Sequence, residues 1–540
     1  MKKEFLTKTL PYLAVIVIFV LISVGYFLPD IFEGKTLFQH DIQQGVAMGA
    51  EVREHYARTG ERTRWTNAMF GGMPAYQISP AYDSSQLFAQ ITKIYSLYLI
   101  SPAGLLFSML LGFFILMKAF RIRTDMAALG AILYTFSSYF LIIIKAGHIW
   151  KFTALAYIPP TIAGIVLIYN RKYLLGGITL ALFLALQIMS NHVQMSYYFL
   201  FVIAALISYF LAVAIKRQKL APFFISSTVS AAALVIAVAI NIPSLYHTYE
   251  YSKETMRGKS ELTIDNENDR KEAAPARQSI KDVWNKPLDA PTNGLARDYI
   301  VQWSYGIGET WTLLVPDAKG GSSGYLGSDK KAMERVPSQQ AQIMAQMSRY
   351  WGNQPFTSGP VYVGAFVLFL FLFGMFIVRT NMKWPLLAVA VLAILLSWGE
   401  NFMGLTNIFI DYFPMYSKFR AVSSILVIVE FVIPLIAILA LKEIVENPEI
   451  IRKQKIGFWI SVAFTLGTTF LFAVAPGAFF DFLSRMELEY ANQYPQFNTI
   501  AAPLTEIRKD ILSSDAWRSF FIILAGIALL YFFTKKKLSA

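Results

Sequence analysis

The sequence predicts an all-α protein that crosses a membrane many times. Of its 540 residues, 55% are hydrophobic and only 15% are charged, whereas water-soluble domains carry about 25% charged residues. About twelve apolar runs are long enough, or nearly so, to cross a hydrocarbon core that is about 30 Å thick. Basic residues are concentrated in alternate connections between these runs. This composition excludes a soluble enzyme. Since the chain contains no cysteine, disulfides and cysteine-based metal sites are excluded as well.

The apolar runs define the expected domain organisation. They cover residues 10–28, 97–117, 126–144, 152–170, 173–190, 193–215, 222–242, 361–378, 384–398, 421–441, 456–475 and 519–533. The first run follows Lys2 and Lys3 without a small-residue cleavage site after it, which favours a retained membrane anchor. The expected segments are the anchor (1–28), a first external loop (29–96), spans two to seven (97–242), a large external loop (243–360), spans eight to twelve (361–533) with external loops at 399–420 and 476–518, and a basic cytoplasmic tail (534–540).

The distribution of charge predicts the orientation. The formal net charge is +13, from 48 Lys and Arg against 35 Asp and Glu. With the N-terminus in the cytoplasm, the cytoplasmic connections hold 20 basic and 5 acidic residues, and the rest of the chain holds 28 basic and 30 acidic residues. Cytoplasmic loops of membrane proteins carry such an excess of Lys and Arg. Topology therefore explains the positive charge, nucleic acid is not a predicted partner, and the large loops face the outside.

Candidate chemistry in the first external loop centres on Asp41, which follows His40 shortly after the first span. Apolar positions after it recur at near-helical spacing, which predicts an amphipathic helix at the membrane interface. Arg64 and Trp65 precede a predicted turn at Gly71-Gly72-Met73-Pro74, because glycine permits positive φ and proline fixes its own φ. Asp41 fits two interpretations: an ordinary exposed acid, which is the more common case, or a carboxylate held at the bilayer surface for proton transfer.

Two short external connections also carry polar side chains. Lys145, His148 and Trp150 lie between spans three and four, and His192 and Gln194 lie between spans five and six. Tryptophan and snorkelling lysine are common at membrane interfaces, yet basic residues on an external turn oppose the usual charge bias. Phosphate binding by Lys145 and His148 is therefore weighed equally with a structural role. For His192 and Gln194, a turn with capping residues is favoured.

The remaining candidates lie in the second half of the chain. Trp303 and Glu309 belong to an aromatic run that is too polar to span a membrane and is expected to pack onto the membrane domain. Lys418 and Arg420 precede span ten, where external cations again oppose the charge bias. Glu430 lies within that span, where a carboxylate costs about 2.5–3.5 kcal/mol. It is either a paired structural residue, which is slightly favoured, or an intramembrane functional site.

In their order along the chain, these motifs resemble those of bacterial YfhO-type membrane proteins, which belong to the GT-C class of polyprenyl-phosphate-dependent glycosyltransferases. The motifs are His40-Asp41, Trp65 with Gly71-Gly72-Met73-Pro74, Gly147-His148, His192-Val193-Gln194, the run from Trp303 to Pro316, and Pro414 with Lys418-Phe419-Arg420. The resemblance covers most of the chain. It implies a GT-C-like bundle of about twelve transmembrane helices, with seven core helices and interfacial helices in the first external loop.

The resemblance also implies an activity. It suggests an inverting hexosyltransferase in the bacterial inner membrane that moves a sugar from a polyprenyl phosphate to a cell-envelope glycan, polymer or protein outside the cytoplasm. Asp41, beside His40, is then the general base. The implied substrate-binding residues are Arg64, Trp65, Lys145, His148, His192, Gln194, Trp303, Glu309, Lys418 and Arg420. Because a single Asp stands where a paired acidic motif is expected, no metal ligand is assigned, and a role for Mg²⁺ or Mn²⁺ is left open.

Three other functions fit the same sequence. A transporter or a flippase for lipid-linked sugars fits twelve spans, with Glu430 as a proton or substrate site near the midplane. A polymerase or ligase of envelope polymers would take a pyrophosphate-linked oligosaccharide instead of a monosaccharide phosphate. A catalytically inactive scaffold is the third. The size of the external loops and the lack of two similar halves in hydropathy disfavour the carrier.

Overall fold

The computed structural model is predominantly helical, as the sequence predicts. It describes residues 2–78, 82, 85–258, 279–334 and 336–535. Helices make up 74% of the structure, and the one sheet among the described residues has two short antiparallel strands, β1 (Trp65–Thr66) and β2 (Met73–Pro74). The chain divides into two compact units. Unit 1 comprises Met1–Thr248, Val378–Leu386 and Pro434–Glu446, and unit 2 comprises Tyr249–Ile377, Leu387–Ile433 and Asn447–Ala540.

The α-helices follow one another along the chain with short connections. Those before residue 259 are α1 (Lys2–Tyr26), α2 (Leu28–Phe32), α3 (His40–Met48), α4 (Ala50–Thr59), α5 (Gln86–Tyr95), α6 (Ala103–Ala119), α7 (Thr124–Thr135), α8 (Ser138–Ala146), α9 (Ile149–Tyr169), α10 (Tyr173–Met189), α11 (Val193–Lys216) and α12 (Leu220–Lys253). Those after residue 278 are α13 (Ile280–Trp284), α14 (Arg297–Val301), α15 (Lys330–Met333), α16 (Ala341–Gln346), α17 (Ala365–Ile377), α18 (Lys383–Ser397), α19 (Met403–Tyr412), α20 (Val427–Glu446), α21 (Ile450–Lys453), α22 (Lys455–Val462), α23 (Thr468–Val474), α24 (Arg485–Gln493) and α25 (Asn498–Thr534).

Shorter helical turns complete the backbone. The 3₁₀ turns are Ala75–Gln77, Gly308–Leu313, Pro316–Lys319, Leu326–Ser328, Gly399–Phe402, Tyr416–Lys418, Val422–Leu426, Pro476–Ala478 and Pro495–Phe497, and a π-helical turn covers Ala463–Gly467.

Many of these helices suit a membrane. By length and composition, seven helices of the described chain could cross one, or nine if each of two bent pairs forms one span. The bent pairs are α7 with α8, at 52°, and α18 with the helical segment Gly399–Tyr412, at 111°. Three shorter apolar helices are α6, α10 and α17. Each predicted apolar run coincides with one of these helices or pairs, which supports an all-α, multi-pass membrane protein. The count of twelve spans and the GT-C arrangement stay predictions.

Two helices are longer than the spans predicted from hydropathy. α12 continues past residue 242 to Lys253, and α25 begins at Asn498 although the predicted span begins at 519. At a rise of 1.5 Å per residue they are about 51 and 56 Å long, which exceeds a hydrocarbon core of about 30 Å. The predicted external loop 476–518 is therefore helical from Asn498 onward. Hydropathy locates the apolar part of a helix, but it does not detect its polar continuation.

The predicted interfacial helix after His40 is in fact two helices. α3 ends at Met48 and α4 begins at Ala50, with Gly49 as their shared cap residue. In the charged stretch 250–298, which the sequence indicates to be irregular, residues 250–253 complete α12, and α13 and part of α14 follow later. Residues 259–278 of this stretch lie outside the described residues, as do residues 536–540 of the predicted basic tail.

Small residues allow close packing around α9 in unit 1. A Cβ added at Gly112 of α6 would lie 2.4 Å from the carbonyl oxygen of Ala156 in α9. A Cβ added at Gly164 of α9 would lie 2.6 Å from the backbone nitrogen of Leu180 in α10. Small residues permit such approaches between helices in apolar surroundings. These contacts hold α9 in place, and α9 begins directly after His148.

Candidate functional site

The start of α3 lies against the turn between α8 and α9. Gly147 ends α8 with a φ of +89°, and a Cβ there would lie 3.2 Å from the backbone nitrogen of Ile42 and 3.3 Å from Cβ of Gln39. The side-chain amide of Gln39 donates a hydrogen bond to the carbonyl of Ile144. Because glycine has no Cβ and adopts positive φ without strain, Gly147 permits both the turn and the close approach of α3.

Asp41 and His148 meet across this contact. Oδ2 of Asp41 lies 2.9 Å from Nε2 of His148, and the two side chains are 49% and 43% exposed. The pair is an ion pair when His148 is protonated. His40 has a different partner, because its Nε2 lies 2.9 Å from Nε2 of Gln44, one turn further along α3. The structure thus brings together the predicted general base and one predicted phosphate ligand, which are far apart in the sequence.

Lys151 and His192 lie near this pair. Lys151 is 8% exposed; its ammonium donates to the hydroxyl of Tyr139 and lies 5.0 Å from the centroid of that ring. Burial first, and then the positive charges of Lys151 and His148, lower the pKa of His192 to about 3. His192 is therefore neutral at physiological pH. Its Nδ1 is buried without a hydrogen-bond partner among the described residues.

Lys151 is the residue of this cluster that the sequence argument did not select. Its burial at the start of α9 is a tertiary property, and a lysine at a span end is usually a snorkelling residue. One feature of the sequence could have pointed to Lys151: it adds a further cation to an external turn, where the positive-inside bias disfavours cations. His192, for which a capping role was favoured, lies close enough to Lys151 and His148 for their charges to affect its pKa.

Two further candidates from the same connections have other surroundings. The side-chain amide of Gln194 donates to the hydroxyl of Tyr198, 2.9 Å away and one turn along α11. Lys145 is exposed in the last turn of α8. Their roles in substrate binding stay predictions.

Trp65 closes the small hairpin of the first external loop. An added Cβ at Gly72, where φ is +126°, would lie 2.6 Å from the indole nitrogen of Trp65. Glu51 of α4 accepts hydrogen bonds from Oγ1 of Thr66 at 2.6 Å and from the backbone nitrogen of Asn67 at 2.9 Å. These bonds, with that from Thr66 the strongest, lower the pKa of Glu51. The predicted turn at Gly71-Gly72 is confirmed.

An aromatic cluster in unit 1 joins the first external loop to α12. The ring of His247 stacks with those of Tyr76 and Tyr82 at centroid distances of 5.2 and 5.8 Å, and the Tyr82 hydroxyl lies 3.1 Å from Nδ1 of His247. Burial raises the pKa of Tyr82, and the nearby guanidinium of Arg64 partly opposes this. Arg64 is among the residues predicted from the sequence, whereas His247 is not, because it lies in the polar continuation of α12 without a motif around it.

In unit 2, Arg420 lies over two aromatic rings. Its guanidinium carbon is 5.2 Å from the ring centroid of Tyr299 and 5.6 Å from that of Trp303, and it donates a hydrogen bond to the hydroxyl of Tyr299. Cation–π contacts of this kind fix a guanidinium over a ring. Burial lowers the pKa of Arg257, and the charge of Arg420 adds to this effect. Two predicted substrate-binding residues, Trp303 and Arg420, are therefore neighbours.

Lys418 links two loops of unit 2 through hydrogen bonds to their backbone carbonyls. Its ammonium donates to the backbone carbonyl of Arg257 at 2.6 Å and to that of Asn293. In return, Nε of Arg257 donates to the carbonyl of Lys418 at 3.1 Å. These hydrogen bonds show that Lys418 links the two loops. Its contact with a phosphate stays a prediction.

Glu309 is a buried acid at the centre of a hydrogen-bond network. It is 2% exposed and accepts from the hydroxyl of Tyr350 at 2.5 Å, from the backbone nitrogen of Gly306 at 2.6 Å and from that of Asn353 at 3.2 Å. Burial raises its pKa, and these hydrogen bonds oppose the rise. Its carboxyl group joins the segments around Gly306 and Asn353, whereas its predicted contact with substrate stays a prediction.

Glu430 is fully buried in the first turn of α20. The helical span that contains it runs from Val422 to Glu446, which places Glu430 about 12 Å from the start of the span at 1.5 Å per residue. Glu430 is also close enough to Tyr305 to affect its pKa, which is raised by burial first, then by Glu309 and also by Glu430. Glu430 is therefore nearer to the Val422 end of its span than the sequence indicates.

The residues around Asp41 do not form a typical divalent-cation site. No group of three or more His, Asp or Glu side chains that could hold a metal ion occurs in the part of the chain that the structure describes. Mg²⁺ prefers an octahedral set of oxygen ligands, whereas the side chain paired with Asp41 is the imidazole of His148. The side chains around Asp41 therefore do not favour Mg²⁺ or Mn²⁺.

Comparisons with known proteins assign no family to this chain. No family model, curated protein or solved structure matches it.

Proposed function

We propose that this chain is an integral membrane glycosyltransferase of the GT-C type, which moves a hexose from a polyprenyl phosphate to a cell-envelope acceptor outside the cytoplasm. The observation that carries the proposal is the pairing of Asp41 with His148 beside Lys151 and His192. This cluster combines a carboxylate, which can take a proton, with cations, which can stabilise a phosphate. The order of motifs that resembles YfhO-type proteins supports the same function.

Asp41 is the general base of the proposed reaction. It is about half exposed, so that an acceptor hydroxyl can reach it, and His148 orients it through Oδ2. The acceptor oxygen attacks the anomeric carbon as the bond to the phosphate oxygen breaks, and the configuration inverts. The acceptor proton passes to Asp41, and the polyprenyl phosphate leaves with the electrons of the broken bond. A positioned base of this kind contributes about 10²–10⁴-fold to the rate.

His148 and Lys151 stabilise the leaving phosphate. Lys151 is almost fully buried, and a charge acts more strongly where water is excluded. Tyr139 holds its ammonium in place through a hydrogen bond and its ring. His192 is neutral and adds no positive charge to the cluster. The residues proposed to bind the phosphate are thus His148 and Lys151, which both belong to unit 1. Lys418 and Arg420, which the resemblance also implies, belong to unit 2 and are not used in this proposal.

Transfer by the purified protein tests the proposal. The full chain, reconstituted in nanodiscs with a radiolabelled polyprenyl-phosphate hexose and cell-envelope extract, should release polyprenyl phosphate and label the acceptor fraction. Native mass spectrometry of the protein extracted from membranes should show a bound polyprenyl phosphate. If neither lipid binding nor transfer is found with any hexose donor, the proposal is wrong. An envelope-polymer polymerase or ligase would instead use a pyrophosphate-linked oligosaccharide in the same assay.

A carrier for lipid-linked sugars is the second candidate, and the complete burial of Glu430 in a membrane-suited helix favours it. Acidic residues inside a membrane often serve proton or substrate pathways. In a proton-coupled carrier, Glu430→Gln abolishes the movement of a fluorescent lipid-linked sugar across proteoliposomes. The glycosyltransferase should retain transfer in the same variant, so the two assays together distinguish the functions.

A further inference from the structure

Unit 2 contains a cleft of about 480 Å³ with polar and apolar lining residues, and none of the predicted site residues lines it. Its walls come from residues 288–304, 352–355, 400–401 and 484–486, which all belong to the segments predicted to be external. Its polar side chains include Asp298, Tyr299, Gln302, Asn353, Glu400, Asn401 and Arg485.

One wall of the cleft is fixed by the sharp bend after α18. Gly399 has a φ of +46°, and an added Cβ would lie 2.2 Å from Oγ of Ser304. The same Oγ accepts a hydrogen bond from the backbone nitrogen of Glu400 at 2.7 Å, and the side-chain amide of Asn401 donates to the carbonyl of Tyr305 at 3.0 Å. Glu400 and Asn401 are thereby held in the cleft wall.

The neighbouring walls are fixed in a similar way. Glu309 accepts from the backbone nitrogen of Asn353, and the side-chain amide of Asn353 donates to Oδ1 of Asn401 at 3.1 Å. Ser484 and Glu487 form a capping box that starts α24, where Arg485 follows. The cleft is therefore built by hydrogen bonds within the protein and does not need a ligand to form.

The chemistry of the cleft favours an uncharged ligand with many hydroxyl groups. Amide side chains both donate and accept hydrogen bonds, as hydroxyl groups do. The charged residues of the lining are Asp298, Glu400 and Arg485, a formal balance of −1, and Arg485 lies 3.5 Å from Glu400. This balance disfavours a phosphate. The volume lies within the range of about 300–1,000 Å³ that is usual for ligand pockets.

We propose that this cleft binds a segment of a neutral saccharide. Ring hydroxyls pair with the side chains of Gln302, Asn353 and Asn401, and Glu400 accepts from further hydroxyls. Arg420 holds the ring of Tyr299, a lining residue of the cleft, through a cation–π contact and a hydrogen bond. The inference does not depend on the proposed function, because binding here needs no chemistry at Asp41.

Saccharide binding to the full chain in detergent tests this site. The probes are chitotetraose, cellotetraose and maltotetraose, with inorganic phosphate as an anionic comparison, and saturation-transfer NMR measures each Kd. At least one tetrasaccharide should bind, and Gln302→Ala and Asn353→Ala should each weaken it about fivefold through the loss of a hydrogen-bonding group. Gln493→Ala and Asn492→Ala are matched controls on exposed positions of α24 outside the cleft, and they should leave the Kd unchanged.

Several outcomes overturn the assignment. The first is that phosphate binds but no tetrasaccharide does, and the second is that no probe binds. The third is that Gln302→Ala and Asn353→Ala bind the tetrasaccharide with the wild-type Kd, although both variants are folded and have the thermal unfolding midpoint of the wild type. Asp41→Asn should bind the tetrasaccharide as the wild type does. Loss of transfer in that variant with saccharide binding retained separates this site from the proposed catalytic cluster.

Discussion

Oδ2 of Asp41 lies 2.9 Å from Nε2 of His148, at the point where α3 meets the turn before α9. The pair joins the first external loop to a short connection that is more than one hundred residues further along the chain. Gly147 permits this approach because it has no side chain and adopts a positive φ.

Lys151→Met should reduce sugar transfer about 10²-fold or more, because the variant removes a buried cation where negative charge develops on the leaving phosphate. Transfer of radiolabelled hexose measures the effect. Lys93→Met is the matched control, since Lys93 is an exposed lysine of unit 1 that belongs to no predicted site, and it should retain most activity. Equal losses in the two variants would contradict the assignment of Lys151.

His192 should make the folded protein less stable in acid. Its pKa in the folded state is about 3, below the value of about 6.5 that an unperturbed histidine has. The unfolded chain therefore binds more protons below pH 6.5, so stability falls as the pH decreases from 6.5 towards 3. Between pH 6.5 and 5 the loss is at most about 2 kcal/mol.

A comparison with His192→Phe isolates this effect. Thermal unfolding midpoints of the wild type should fall more steeply between pH 7.5 and 5 than those of the variant, in which this protonation is absent. Parallel curves would show that His192 is not buried in its neutral form.

Gly147→Ala should reduce transfer and lower the melting temperature, because the new Cβ would press on Ile42 and Gln39 and the residue would keep a φ of +89°. The strain of a non-glycine residue at such a φ costs about 1–3 kcal/mol. Gly34→Ala separates strain from contact, since Gly34 has a φ of +63° with nothing within 4 Å of its added Cβ. Transfer should remain normal in Gly34→Ala, and a normal rate in Gly147→Ala would show that the approach of α3 is not required.

Glu309→Ala should destabilise the loops of unit 2. The variant leaves the hydroxyl of Tyr350 and the backbone nitrogens of Gly306 and Asn353 without their acceptor, and each buried unsatisfied group costs about 1–3 kcal/mol. Thermal unfolding and limited proteolysis measure the loss, with Glu489→Ala as the exposed control of the same unit. Unchanged stability would mean that Glu309 does not hold these segments.

The helices could be predicted from the sequence because hydropathy and charge bias are local properties. The polar continuation of α25 could not, since nothing apolar marks it. The motif around Asp41 and the motif around His148 were each visible, but their contact depends on the packing of α9 against α6 and α10. The role of Lys151 could not be predicted, because it depends on the burial of the side chain, and burial follows from the packing of the helices.

The transfer activity of Asp41→Asn tests the central claim most directly. The assay uses radiolabelled polyprenyl-phosphate hexose and measures donor binding in parallel, with Glu54→Gln as the control at an exposed acid of the same external loop. The variant should lose at least about 10²-fold in turnover and bind the donor as the wild type does, while Glu54→Gln remains active. Full turnover in Asp41→Asn would contradict the assignment of Asp41 as the general base.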